Sequence, residues 1–270
     1  MPLTLRRVFA PLSITLCIAF SFGLAANLYG MTVEPPPLVN AKFRYLTRDP
    51  ATRELKPYGW ALDLITGPKD QAYLRRDVVA GELCLGMHVV QDGVDDGHEW
   101  ATIHVRQDLT GTAAQALFNQ PFTIAVFPTF PYVHDSGYPR NVFGVEIYDG
   151  NHLLWIVFSN TEERTDQINQ HRIIVIRAPS NEWSVQKIDL AAIYRAAGWQ
   201  PPEKYSFTLL VGATRALKGE FAGFVKEVTS TEKSRTSAGS LEALISSDIE
   251  CRKADMCWVI VTPDRNSMRV

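Results

Sequence analysis

The chain has 270 residues, 46% hydrophobic and 21% charged, with a formal net charge of −2. This composition excludes a disordered or collagen-like chain. The first 31 residues hold two arginines and no acid, so the remainder carries 25 basic against 29 acidic side chains. No basic stripe appears, which argues against nucleic acid as a partner.

Arg6 and Arg7 precede an uncharged run over residues 8–33. A bilayer core needs roughly 20 apolar residues, and this run is long enough. No Lys or Arg occurs from 8 to 41. The asymmetry predicts one transmembrane helix with its N-terminus inside and residues from 34 onward extracytoplasmic. The alternative is a cleaved signal peptide, because Gly23-Leu24-Ala25 supplies small residues and a mature chain would begin near Ala26. Cys17 lies inside the run and reads as a buried thiol. Residues 34–41, with Pro35, Pro36 and Pro37, form a stiff spacer.

Beyond the spacer, runs rich in β-branched and aromatic residues alternate with turn signals. They predict strands over 42–47, 60–65, 78–90, 100–106, 122–127, 142–148, 153–159, 172–177, 183–188, 206–211 and 221–228. So many short strands predict an all-β sandwich or barrel over 42–228. A helix is expected over 190–197, where Leu190, Ile193, Tyr194 and Ala197 make one stripe. Asp189 is placed to cap its start, and Gly198 with Pro201-Pro202 to end it. A shorter helix is expected near 113–118. Loops are expected over 91–99, 128–141 and 160–170. Residues 229–240 are polar and read as a linker. The segment 241–270 offers a helical turn or two at 241–247 and a strand at 257–262.

The most informative stretch is 141–159. Two strand-like runs flank Asp149-Gly150-Asn151, a hairpin signal. The period of two puts Phe143, Val145 and Ile147 on one face with Leu154, Ile156 and Phe158. That face should be core. Glu146, Tyr148 and Trp155 fall on the other, with Gly144, Leu153 and Val157. A carboxylate beside aromatic rings suits a sugar, since rings stack on its faces while the carboxylate takes its hydroxyls. The competing reading has this face covered by another sheet or loop.

An apolar/Glu/Trp hairpin followed by Trp183, five residues, Asp189-Leu190 and a short helix resembles concanavalin A-like jelly-roll domains over roughly 42–228. The resemblance is at fold level. It implies a jelly-roll-like β-sandwich ectodomain behind the N-terminal helix, of a kind that typically binds or cleaves glycans. The glucanase version carries a Glu-x-Asp-x-x-Glu strand. Here the nearest strand reads Glu146-Ile147-Tyr148-Asp149 and lacks the second Glu.

Two loops add candidates. Asp92, Asp95, Asp96 and Glu99 crowd four carboxylates into a Gly-containing turn, a possible Ca²⁺ ligand set whose spacing is not that of an EF-hand. A solvated acidic turn explains the same residues. The Pro-rich loop 127–140 carries Tyr132, His134 and Arg140, residue types that favour recognition. The six histidines show no zinc spacing. No nucleophile elbow or phosphate-binding glycine loop is present. Cys251 and Cys257 are close enough in sequence to pair, while Cys84 reads as a small buried hydrophobe. These features predict a binding module for a glycan or an envelope partner. A glycan hydrolase using Glu146, or a structural subunit of a surface complex, are the alternatives.

Overall fold

The computed structural model describes residues 36–50, 53–67, 70–93, 100–135, 138–214 and 216–230. The membrane-span or signal-peptide reading of 8–33, the acidic residues Asp95, Asp96 and Glu99, the Cys251–Cys257 pairing and the C-terminal elements lie outside them. Among the described residues no helix is long and apolar enough to cross a membrane.

In chain order the strands are β1 (Leu46–Arg48), β2 (Leu55–Pro57), β3 (Ala61–Ile65), β4 (Gln71–Val79), β5 (Glu82–Gln91) and β6 (Trp100–Thr110). Then come β7 (Phe122–Pro128), β8 (His134–Asp135), β9 (Tyr138–Pro139), β10 (Asn141–Tyr148), β11 (Leu153–Ser159) and β12 (Arg164–Ile168). The last are β13 (His171–Arg177), β14 (Ser184–Ile188), β15 (Lys204–Thr214) and β16 (Gly219–Ser230). Helix α1 (Gly111–Asn119) follows β6, and α2 (Leu190–Ala197) follows β14.

Two sheets form the sandwich. The larger has seven strands in the order β12-β13-β11-β10-β15-β6-β3, and the smaller five in the order β14-β7-β16-β5-β4. Their pairings are antiparallel except β11 with β13. The core lies between the sheets because each strand turns its apolar alternate residues inward. Phe143, Val145, Ile147, Leu154, Ile156 and Phe158 are all buried there, as the pleat requires. Phe207, Leu209 and Val211 of β15 and Ile103 and Val105 of β6 continue the same layer. Gly223 on the opposing sheet leaves the space that the Phe143 ring fills.

Helix α2 matches its expectation. The Asp189 carboxylate accepts from the Ala192 N–H at 2.9 Å, and Gly198 closes the helix in the left-handed region at φ 73°. Two expectations are corrected. The single strand over 78–90 is the hairpin β4–β5, turned at Ala80 and Gly81 with φ of 50° and 81°. Both central residues with positive φ make it a type I′ turn, which Ala rarely begins. The loop over 160–170 contains the edge strand β12. Its residues Arg164–Ile168 are mostly polar because one edge strand has little to bury. Cys84 is buried on the outer side of the smaller sheet beside Phe127 and Phe224, as the small hydrophobe it resembles.

Candidate functional site

The outer face of the seven-stranded sheet is where the pleat sends the polar residues. Register aligns Arg106 on β6, Thr208 on β15, Glu146 on β10 and Trp155 on β11 in one row across four neighbouring strands. The Trp155 Nε1–H donates to Glu146 Oε2 at 2.8 Å. In the next row stand Asp108, Ser206, Tyr148 and Leu153, with the Ser206 hydroxyl donating to Asp108 Oδ1 at 2.7 Å. Arg106 reaches Asp63 and Asp108, each at 3.4 Å. The result is a guanidinium, hydroxyls, carboxylates and an indole within one surface.

This face is curled. Trp155 and Trp100 belong to strands three steps apart, and Trp100 lies six residues beyond Arg106. A flat sheet would separate them by ~14 Å sideways and ~20 Å along the strands. Their ring centroids are 6.2 Å apart at 71°. Curling and twist of the sheet, added to the reach of the two indole side chains, close that gap. The His171 ring meets Trp155 edge-on at 4.9 Å, which fixes the indole from the β13 side. Burial lowers the His171 pKa and keeps that imidazole neutral.

The hairpin's outer face is covered over one half and exposed over the other. Toward one end Val142, Val157, Ile173, Val175 and Leu210 are buried under Tyr132, with Trp100 and Trp155 packed at the margin. The loop carrying Tyr132 is clamped by Asn141, whose side chain accepts from the Val133 N–H and donates to the Pro131 carbonyl, both at 2.8 Å. Burial pushes the Tyr132 phenol up to about 12. Toward the other end the face opens: Glu146 and Trp155 are half-buried and Tyr148 is exposed. Thr102, Thr208 and Tyr132 are each over nine-tenths buried, yet their hydroxyl oxygens have no protein partner. Buried hydroxyls left this way are normally completed by water or ligand.

Glu146, Tyr148 and Trp155 are thus brought together, and Tyr132 joins them as the cover of the apolar end. His134 instead sits at the β12 edge, stacked on Tyr132 at 5.7 Å and 3.1 Å from Glu162. There Arg164 is bound to Asp166 at 2.6 Å. Arg140 pairs with Asp135 at 3.2 Å. Of the proposed calcium ligands, Asp92 is half-buried just after β5 and the other three lie outside the described residues. Among the described residues no group of three His, Cys, Asp or Glu could hold a metal ion. Arg106, Thr208, Thr102 and Trp100 join the face without having been singled out in the sequence. For the three residues on β6 the face, though not the partners across it, is set by the alternation of Trp100, Thr102, His104 and Arg106 with Ala101, Ile103 and Val105.

No protein-family model matches this chain, and no curated protein does. Among solved structures it is similar to a carbohydrate-binding module described as belonging to the β-sandwich superfamily, at 14% identity and TM-score 0.35. That match covers 64% of this chain and 57% of the other. It is similar also to the xyloglucanase domain of a Sinorhizobium fredii type three effector, at 12% identity and TM-score 0.39, over 63% of this chain and 92% of the other. The catalytic domain of Humicola grisea Cel12A gives 12% identity and TM-score 0.39, over 64% and 95%.

Proposed function

We propose that this chain is a glycan-binding β-sandwich module, with its ligand laid on the open half of the concave face. The observation that carries the reading is the row Arg106–Thr208–Glu146–Trp155. A sugar needs an apolar platform for its ring face and charged or hydroxyl partners for its edge, and this row supplies both. The unpartnered hydroxyl of Thr208, in that same row, supports the same use of the surface. The uncharged run at 8–33 supports placing the module outside the membrane, anchored by its N-terminal segment.

Hydrolysis by Glu146 is the less supported use. A retaining glycosidase needs two carboxylates about 5–5.5 Å apart. Asp108, the nearest carboxylate to Glu146 by register on this face, is two strands across and two residues along. The partners of Asp108 are the Ser206 hydroxyl at 2.7 Å and Arg106 at 3.4 Å. In addition, the indole N–H already occupies one Glu146 oxygen.

The test is a glycan-array screen of the full chain in detergent, covering neutral, acidic and sulfated oligosaccharides, beside the Trp155→Ala variant. Binding of a defined glycan set that Trp155→Ala loses is the expected result. Absence of binding, or binding unchanged in the variant, rejects the concave face as the site. Protease added to intact cells should remove the sandwich, and full protection would reject the extracytoplasmic placement.

A further inference from the structure

The first folded segment presents a second surface, unrelated to the concave face. Val39, Tyr45 and Tyr58 are 47%, 69% and 55% exposed, although all three are apolar or aromatic. They are neighbours. The Tyr58 N–H donates to the Tyr45 carbonyl at 2.9 Å, extending the β1–β2 pairing so that the two phenols lie opposite each other. Val39 lies against Gly59, where an added Cβ would meet its side chain at 2.7 Å.

The base under these side chains is fixed. The Val39 N–H donates to Gln107 Oε1 at 3.1 Å, and its carbonyl accepts from Gln107 Nε2 at 2.7 Å and Trp60 Nε1 at 2.8 Å. Asn40 holds Tyr45 at both its N–H and its carbonyl. Phe43 and Trp60 are buried in the core directly beneath. The exposed rings are therefore held outward by a rigid support.

Cations lie on the same segment and at its edge. Lys42, Arg44, Arg48, Arg53 and Arg76 are all exposed. Arg76 donates to the Arg44 carbonyl, which brings β4 to the same edge. Among the described residues Lys56–Asp49 is the only ion pair on the segment 36–60, and none of these five cations is paired with a described carboxylate. The uncharged run ends at Val33, six residues before Val39. Three of the residues between are prolines, so this tether spans at most ~20 Å at about 3.1–3.3 Å per residue.

We propose that this patch is a membrane-docking surface that seats the sandwich on an anionic phospholipid bilayer. Tyr45 and Tyr58 enter the headgroup layer, where amphipathic rings are favoured, and the cations meet the phosphates of anionic headgroups within a Debye length. Docking fixes the domain's orientation at the end of its short tether and leaves the concave face to be turned toward other ligands. The proposal rests on the anchored reading for its tether and on charge complementarity for its lipid preference.

The test uses the full chain reconstituted in phosphatidylcholine vesicles and in vesicles with 30% phosphatidylglycerol. Exposed tyrosines are acetylated by N-acetylimidazole and mapped by mass spectrometry, with Tyr148 as internal reference. At least threefold protection of Tyr45 and Tyr58 in the anionic vesicles alone, reversed by high salt and by Lys42→Glu with Arg44→Glu, is expected. Equal reactivity in both vesicle types, with the protein co-floating with each, overturns docking and leaves the anchor intact. Failure to co-float with phosphatidylcholine rejects the anchor instead. Docking then stands if anionic vesicles still carry the protein with both tyrosines protected, and falls if they do not.

Discussion

Glu146 and Trp155 stand directly opposite each other in the β10–β11 pair, and the indole N–H is 2.8 Å from the carboxylate. Each therefore holds the other in place on the concave face, and Trp100 and His171 pack edge-to-face with the same indole. Glu146→Gln retains an oxygen that accepts the indole N–H, so stability should change by less than ~1 kcal/mol. Glu146→Ala leaves a half-buried donor without its partner and should cost about 1 kcal/mol, the low end for a lost hydrogen bond. Urea unfolding of the two variants reads this difference. Equal losses would show that the bond contributes nothing to holding the ring.

The two faces of the hairpin make separate forecasts. Phe143 and Phe158 are buried and pack ring to ring at 5.3 Å, so truncating either to Ala should cost about 3–5 kcal/mol. Trp155 is only half-buried, and Trp155→Ala should cost about half as much while weakening glycan binding. A loss for Trp155→Ala equal to that for Phe143→Ala would mean the face is covered throughout.

The hairpin faces were legible because a pleat of period two acts within a single strand, and Gly150-Asn151 make the turn between Asp149 and His152. The row that completes the site was not. Thr208 and Arg106 join Glu146 through pairings between segments some 60 to 100 residues apart, which local alternation does not encode. The cover over Val142 and Val157 was hidden for the same reason, because Tyr132 reaches them through a loop clamped by Asn141. The β4–β5 turn escaped notice because Ala80 stands where Asn, Asp or Gly usually signals the bend.

That turn yields its own forecast. Ala80 holds φ 50°, a region costly to a side chain that cannot bond locally. Ala80→Asn or Ala80→Gly should stabilise the fold by about 0.5–1 kcal/mol in urea unfolding. A destabilised Ala80→Gly variant would show that the turn conformation differs from the one described.

Asp149 ties the hairpin loop to α2. Its carboxylate accepts from the Asn151 and His152 N–H groups at 2.8 and 2.7 Å and from the Tyr194 hydroxyl at 3.1 Å, and it pairs with the His152 ring at 3.0 Å. Burial alone would raise its pKa, but these donors outweigh it and hold the carboxyl below the usual range. A depressed carboxyl contributes stability above its unfolded value near 3.9, and loses it as pH falls through the lower folded value. Asp149→Asn keeps an acceptor but no charge. The gap between wild type and Asp149→Asn should therefore be full above about pH 5 and close as the pH falls below about 4. Thermal melts from pH 2 to 7 measure it, and a gap independent of pH would contradict the assignment.

Thr208 offers a forecast in which stability and binding move in opposite directions. Its side chain is 1% exposed, its hydroxyl has no protein partner, and its neighbours in the row are Arg106 and Glu146. A buried hydroxyl without a partner costs about 1–3 kcal/mol relative to an apolar group of the same shape. If that oxygen is kept for a ligand, Thr208→Val should stabilise the free protein by about 1 kcal/mol. The same substitution should weaken glycan binding severalfold, the cost of one hydrogen bond. Urea unfolding and array titration of a single variant read both quantities. A stabilised variant with undiminished binding would remove Thr208 from the site. A destabilised one would show that the hydroxyl is already satisfied in the free protein, and that this part of the face serves the fold.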